Sequence, residues 1–130
     1  MKLMTVVGAR PQFIKSAAVS RVIRTFSEIN EVIVHTGQHF DFNMSNVFFE
    51  EMDIPAPTYN LDIHGLSHGA MTGQMLEKIE SVMSKEKPDY VLVYGDTDST
   101  LSGALAAVKL QLPIAHIEAG LRQEPRDMPE

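Results

Sequence analysis

Residues 6–16 read VVGARPQFIKS, and the fold turns on how that stretch is taken. Val6 and Val7 close a short apolar run, Lys2–Val7, that reads as a buried strand stopping at Gly8. Pro11 then reads as the first residue of a helix, where its fixed φ suits the turn and its missing N–H is not needed. Residues 13–26 continue that helix, with Ile14, Ala17, Ala18 and Val22 at helical spacing. A helix N-terminus carries about half a positive charge, so each cation there is unfavourable by a few tenths of a kcal/mol. Arg10 and Lys15 stand there nonetheless. Around a bound anion the placement makes sense, because backbone N–H groups and cations then converge on one negative charge.

The same alternation runs along the rest of the chain. Residues 31–35 (EVIVH) read as a second strand, closed by Gly37, and 41–52 predict a helix ended by Pro55 and Pro57. Residues 59–63 read as a short edge strand. Residues 67–85 form a long helix with Met71, Met75, Ile79, Val82 and Met83 facing inward, a stripe that belongs to a core. Pro88 stops it. Residues 90–94 (YVLVY) are a continuous apolar strand ending at Gly95, 99–110 a helix, and 113–117 (PIAHI) a strand running into Glu118. Strands alternating with helices imply right-handed βαβ crossovers and a parallel sheet. Strands that are apolar throughout imply helices on both faces. The expected fold is α/β: one doubly wound, Rossmann-like parallel sheet, without repeats or linkers. Because RQEPRDMPE stops without closing a helix or returning to the sheet, residues 1–130 are expected to be part of a larger protein.

Composition narrows the function. The 130 residues are 44% hydrophobic and 22% charged, ordinary material for one core. A net charge of −6 argues against nucleic acid or an anionic membrane as partner. There is no cysteine, which excludes disulfides, thiol catalysis and thiolate metal sites. The apolar run LMTVV is too short for a signal peptide and nothing approaches a membrane span, so a cytoplasmic protein is the simplest reading. No Lys or Arg occurs from Thr25 through Glu77, so an anion site must draw on the chain's start, its far end or backbone amides.

In an open parallel sheet, ligands bind beyond the carboxyl ends of the strands. Four such ends can be read: GARPQ, TGQH, GDTDST and EAGLR. With strands about 4.8 Å apart, Arg10, His39, Asp96, Glu118 and Arg122 should share one rim. GDTDST holds several good helix caps where one suffices, which leaves a spare carboxylate; Glu118 could simply pair with Arg122. No G-x-G-x-x-G follows the first strand, and the run from Gly8 to Lys15 is one residue too long for a phosphate loop, so NAD and ATP readings are weak. His64 and His68 are spaced i, i+4, but HGLSHG is too glycine-rich to trust as helix, and no metal site or cofactor is expected. His116, in a strand, reads as core.

GARPQFIK, HTGQHFDFN, GDTDST, HIEAGLR and MPE, in this order, resemble the non-hydrolysing UDP-N-acetylglucosamine 2-epimerases over essentially the whole chain. The resemblance implies part of the first of two doubly wound domains, the architecture of B-type glycosyltransferases. It also implies a UDP-sugar substrate and a reaction that eliminates UDP across C1–C2 and adds it back. By motif, Arg10 and Lys15 would hold the diphosphate, with Gln38, His39 and Arg122 as further substrate-binding residues. Asp96, Glu118 and Glu130 would be the catalytic carboxylates. A homo-oligomer is expected, and the 130 residues are expected to be inactive alone. Two departures stand out. Gln12 replaces the Glu often found after the R-P pair, and HFDFNMSNVFFEEMDIP looks closer to archaeal members and to epimerases of diacetamido uronic acid sugars.

Overall fold

In β1 (Lys2–Val7) the last four residues are buried, as they must be in a strand with neighbours on both edges and helices on both faces. The computed structural model describes residues 1–37, 46–51 and 53–120. The elements that follow are α1 (Arg10–Ile23), β2 (Asn30–His35), α2 (Asn46–Glu51), β3 (Tyr59–Asn60), α3 (His68–Glu86), β4 (Tyr90–Tyr94), α4 (Asp98–Lys109) and β5 (Ile114–Ile117). The five strands form one sheet in the order β3-β2-β1-β4-β5. Every neighbouring pair is parallel, with Val6 opposite both Val34 and Val93, and Tyr94 opposite Ile117.

Alternation along the strands splits the core in two. Met4, Val6, Val32, Val34, Val91 and Val93 pack against the methionine stripe of α3 and against Ala106 and Ala107 of α4. Val7, Ile33, Leu92 and Tyr94 pack on the other face against Phe13 and Ala17 of α1 and Phe49 of α2. The sheet is therefore doubly wound, and Met71, Met75, Ile79, Val82 and Met83 are the buried residues of α3, as the periodicity predicts.

Several readings change. Pro11 is the second residue of α1, not its first. The face of α1 is also turned: Gln12, Phe13, Ser16, Ala17, Ser20 and Ile23 are buried, while Ile14 and Val22 are exposed. Ser16 tolerates burial because its hydroxyl donates to the Phe13 carbonyl at 3.0 Å. The helix ends at Ile23 because the Thr25 and Phe26 amides bond three residues back, to Val22 and Ile23. Of the helix expected over 41–52, Asn46–Glu51 is α2, and 41–45 and Met52 lie outside the described residues. β3 is cut short by Asp62, whose φ of 54° is left-handed, although Leu61 and Ile63 still bond to His35 and Thr36. His68 is the first residue of α3, inside the helix predicted over 67–85, and His64 precedes that helix. His116 does not read as core: β5 is the last strand of the sheet among the described residues, where His116 is exposed with its Nε2 2.7 Å from the Gly95 carbonyl oxygen. Among the described residues no helix is long and apolar enough to cross a membrane.

Two stability predictions arise here. A methyl group on Gly8 would fall onto the hydroxyls of Ser99 and Thr36, which bond to each other at 2.8 Å across the β1 end. Gly8→Ala should therefore cost about 1–3 kcal/mol by overpacking, read from urea midpoints. His35 is buried edge-on to Phe13, at 4.8 Å between ring centroids, and burial lowers its pKa to about 4 against an opposing pull from Asp62. The folded ring thus stays neutral to about pH 4, while the unfolded one takes a proton near its ordinary value. The unfolded state binds the extra proton in that window, so stability falls as pH drops through it, by at most about 1.4 kcal/mol per unit. His35→Phe should flatten that part of the pH profile; an unchanged slope would assign the loss to other groups.

Candidate functional site

Strand order reverses between β1 and β4: from β1 the chain runs one way to β2 and β3, and returns past β1 to β4 and β5. Their following helices diverge, opening a crevice beyond the strand ends. A cavity of about 450 Å3 lies there, lined by Arg10, Gln12, Lys15, Asp96, Thr97 and Glu118 among others. Another, of about 370 Å3, is lined by residues from the end of α1, the amino end of β2 and the stretch before β3. Its charged groups are already engaged, Glu31 by the Thr5 hydroxyl at 2.9 Å and Arg24 by Asp53 at 3.4 Å.

Gln12 builds the crevice. Its buried Oε1 accepts from the amides of Gly8 and Ala9 at 2.8 and 3.2 Å, and Nε2 donates to the Tyr94 carbonyl and to Thr97 Oγ1, both at 2.9 Å. Both capacities of the amide are filled. One side chain thus ties the β1–α1 turn to the β4–α4 turn. Thr97 caps α4, and the Thr100 hydroxyl closes on the Tyr94 carbonyl at 2.5 Å. Sequence reasoning noticed Gln12 only as a departure; the available signal was a polar residue in the first turn of an otherwise buried helix face.

The charged groups sit on this frame. The first turn of α1 carries no acid and its N-cap is Ala9, so the positive end of the helix dipole is uncompensated by its own residues. The Lys15 Nζ meets Glu118 Oε1 at 2.5 Å, while the Arg122 partner that sequence suggests for Glu118 lies outside the described residues. Asp96 is half-buried and has no hydrogen-bond or ion-pair partner among the described residues, the spare carboxylate expected once Thr97 takes the cap. Glu118 directly follows β5 with φ 68°, the value of Gly95 after β4. A side chain in that conformation costs roughly 1–2 kcal/mol, and such strain collects at functional sites. Tyr94, buried below with its acidity suppressed by desolvation, is packing and not an acid at neutral pH.

Arg10, Lys15, Asp96 and Glu118 thus surround one cavity. Gln38, His39, Arg122 and Glu130 lie outside the described residues. Among the described residues no three His, Cys, Asp or Glu side chains are grouped to hold a metal.

Comparison with known proteins meets this geometry. The sequence profile of UDP-N-acetylglucosamine 2-epimerase matches residues 21–130. The chain belongs to the UDP-N-acetylglucosamine 2-epimerase family. It is 64% identical over 130 residues to a UDP-2,3-diacetamido-2,3-dideoxy-D-glucuronate 2-epimerase of Pseudomonas aeruginosa, covering 37% of that protein. It is 51% identical over 129 residues to a UDP-N-acetylglucosamine 2-epimerase of Methanococcus maripaludis, covering 34% of it. The crystal structure of the Methanocaldococcus jannaschii UDP-GlcNAc 2-epimerase, in complex with UDP-GlcNAc and UDP, superposes with a TM-score of 0.92. Identity there is 49%, over all of this chain and 36% of that one. The chain therefore spans about a third of the length of these relatives.

The geometry makes Gln12 the test of the frame. Gln12→Ala leaves the Gly8 and Ala9 amides and the Tyr94 carbonyl short of partners, and should cost about 2–5 kcal/mol in urea unfolding. A loss under about 0.5 kcal/mol would show that the two turns hold without it.

Proposed function

We propose that this chain carries the diphosphate-holding and acid–base groups of an enzyme that inverts C2 of a UDP-2-acetamido sugar. The convergence of Arg10, Lys15, Asp96 and Glu118 on one cavity at the sheet's switch point carries the reading. The C2 proton of such a sugar is too weakly acidic to be removed alone. Removal coupled to loss of UDP is easier: the C2–H electron pair becomes the C1–C2 double bond, and the C1–O pair leaves with the diphosphate. Adding UDP back while a proton is delivered to the other face of C2 completes the inversion.

Each group has a role in that sequence. Arg10 and Lys15, at the positive end of α1, oppose the charge that develops on the departing diphosphate. Asp96, unpaired at a strand end, is the group available to exchange the C2 proton. Glu118, paired with Lys15 until a diphosphate competes for that ammonium, is the second acid–base group. Glu130 would be the third, and Gln38, His39 and Arg122 further substrate contacts, by motif resemblance. By the same reading the enzyme takes a UDP-sugar as its partner and works as a homo-oligomer, the rest of its length lying beyond the third of its relatives that this chain spans.

A second reading concerns the sugar. Identity of 64% to a diacetamido glucuronate epimerase favours a uronic acid substrate over N-acetylglucosamine.

UDP titrated into the labelled chain should shift the Arg10 and Lys15 side-chain NMR signals. Arg10→Ala with Lys15→Ala should weaken UDP binding by about 100-fold, from two charge-assisted bonds. In a full-length protein bearing this sequence, Asp96→Asn should abolish deuterium incorporation at C2 in D2O while UDP still binds. Unchanged UDP affinity in the double variant, or normal exchange with Asp96→Asn, would sink the assignment.

A further inference from the structure

At the same rim, His68 opens α3 and Asp98 opens α4. The His68 Nδ1 lies 3.0 Å from Asp98 Oδ2, across 30 residues of sequence. The Asp98 side chain is 13% exposed, whereas the His68 side chain is 95% exposed. Nδ1–H donates to a carboxylate held by its helix, which fixes the ring and leaves Nε2 outward, without a partner among the described residues. Helix stability does not account for this. A chargeable ring in the first turn of α3 opposes the helix dipole, and Ser67 already caps that helix.

The pair stands at the same rim as the cavity without lining it: Asp98 follows Thr97, which does line it, and stands two residues after Asp96. It also fills a gap in charge, since no Lys or Arg occurs between Thr25 and Glu77. Of the described histidines in that span, His35 is buried in the core and His64 is paired with Asp62 at 3.1 Å. His68 is the one whose open nitrogen can meet an anionic group on a ligand from the α3 side.

We propose that His68, oriented by Asp98, hydrogen-bonds the C6 carboxylate of a UDP-2-acetamido uronic acid sugar. The proposal rests on the function above and names the substrate class for that site. In the complex the ring lies between two carboxylates, giving Nδ1–H to Asp98 and Nε2–H to the sugar. A charge-assisted bond of this kind is roughly twice as strong as a neutral one. A C6 hydroxymethyl group offers no negative charge to the ring, so the neutral sugar forgoes that bond.

UDP-2-acetamido-2-deoxyglucuronate and UDP-N-acetylglucosamine differ only at C6, which makes them the probes. After UDP alone is titrated, each sugar nucleotide is added to the chain labelled at histidine nitrogen, with affinity measured by calorimetry. The uronate should bind about tenfold tighter or more, and it alone should shift the His68 Nε2 resonance. His68→Gln, at an exposed position that leaves the core intact, should bring the two affinities together, while the His64→Gln control keeps them apart. Equal affinities for the unaltered chain, or a preference that survives His68→Gln, overturn the proposal and leave the UDP reading standing. Failure of UDP itself to bind overturns the function and the proposal together.

Discussion

The buried amide of Gln12 is the contact on which the site depends. A parallel sheet with diverging helices makes a crevice, but nothing in sheet geometry fixes how the two turns on either side of it face each other. Here a single side chain accepts from one turn and donates to the other, with every hydrogen-bonding capacity filled. Because it is buried, those bonds are not exchanged with water, and breaking one strands its partner in the core. Gly8 allows the close approach, with Ser99 and Thr36 packed against the space where a side chain would be. Arg10, Lys15 and Asp96 lie within three residues of Gln12 or of Thr97, so their relative placement is set by this one amide.

Charge distribution then follows topology. The sheet order puts β1 and β4 side by side although they are separated by most of the chain, and β5 beside β4. Cations arrive from the first helix and carboxylates from the last two strand ends, so opposite charges meet in space without being neighbours in sequence. The Lys15–Glu118 and His68–Asp98 pairs share that origin: each joins residues from distant elements at the same rim.

Much of this was legible in the sequence, for identifiable reasons. β1 and β4 have the bounds their apolar runs predict, because a strand buried on both faces shows no alternation to blur its ends. The strand-end rule put Arg10, Asp96 and Glu118 on one rim without any knowledge of sheet order, and Lys15 was singled out by its charge at the start of α1; His39 and Arg122, named by the same rule, lie outside the described residues. The face of α1 was not legible. Ile14, Ala18 and Val22 make a stripe as regular as the buried one, and what turns the other inward is long-range: the Gln12 bonds to the β4 end and the packing of Phe13 and Ala17 on the sheet. The exposure of His116 was not legible, because an apolar strand does not reveal in its own residues what lies beside it among the described strands. The partners of Gln12, Glu118 and His68 are long-range, and spacing along one helix or strand carries no information about them.

Glu118 shows how the fold balances stability against chemistry. Its left-handed backbone is a position where glycine, as at Gly95 on the adjacent strand, would be free of steric cost. The ion pair to Lys15 does not repay that strain, since the two side chains are 47% and 34% exposed and a pair so open to water is worth about 0–1 kcal/mol. The strain, roughly 1–2 kcal/mol, is as large or larger. A carboxylate kept at a strained turn for so weak a contact is not explained by the stability of the folded chain. What it does provide is a negative group beside a cation at the mouth of the crevice, held loosely enough that the diphosphate of the proposed reaction, with more charge and more acceptors, would take the cation from it. The weakness of the pair is therefore consistent with its place in the proposed reaction: a tighter, buried pair would keep both groups from the ligand.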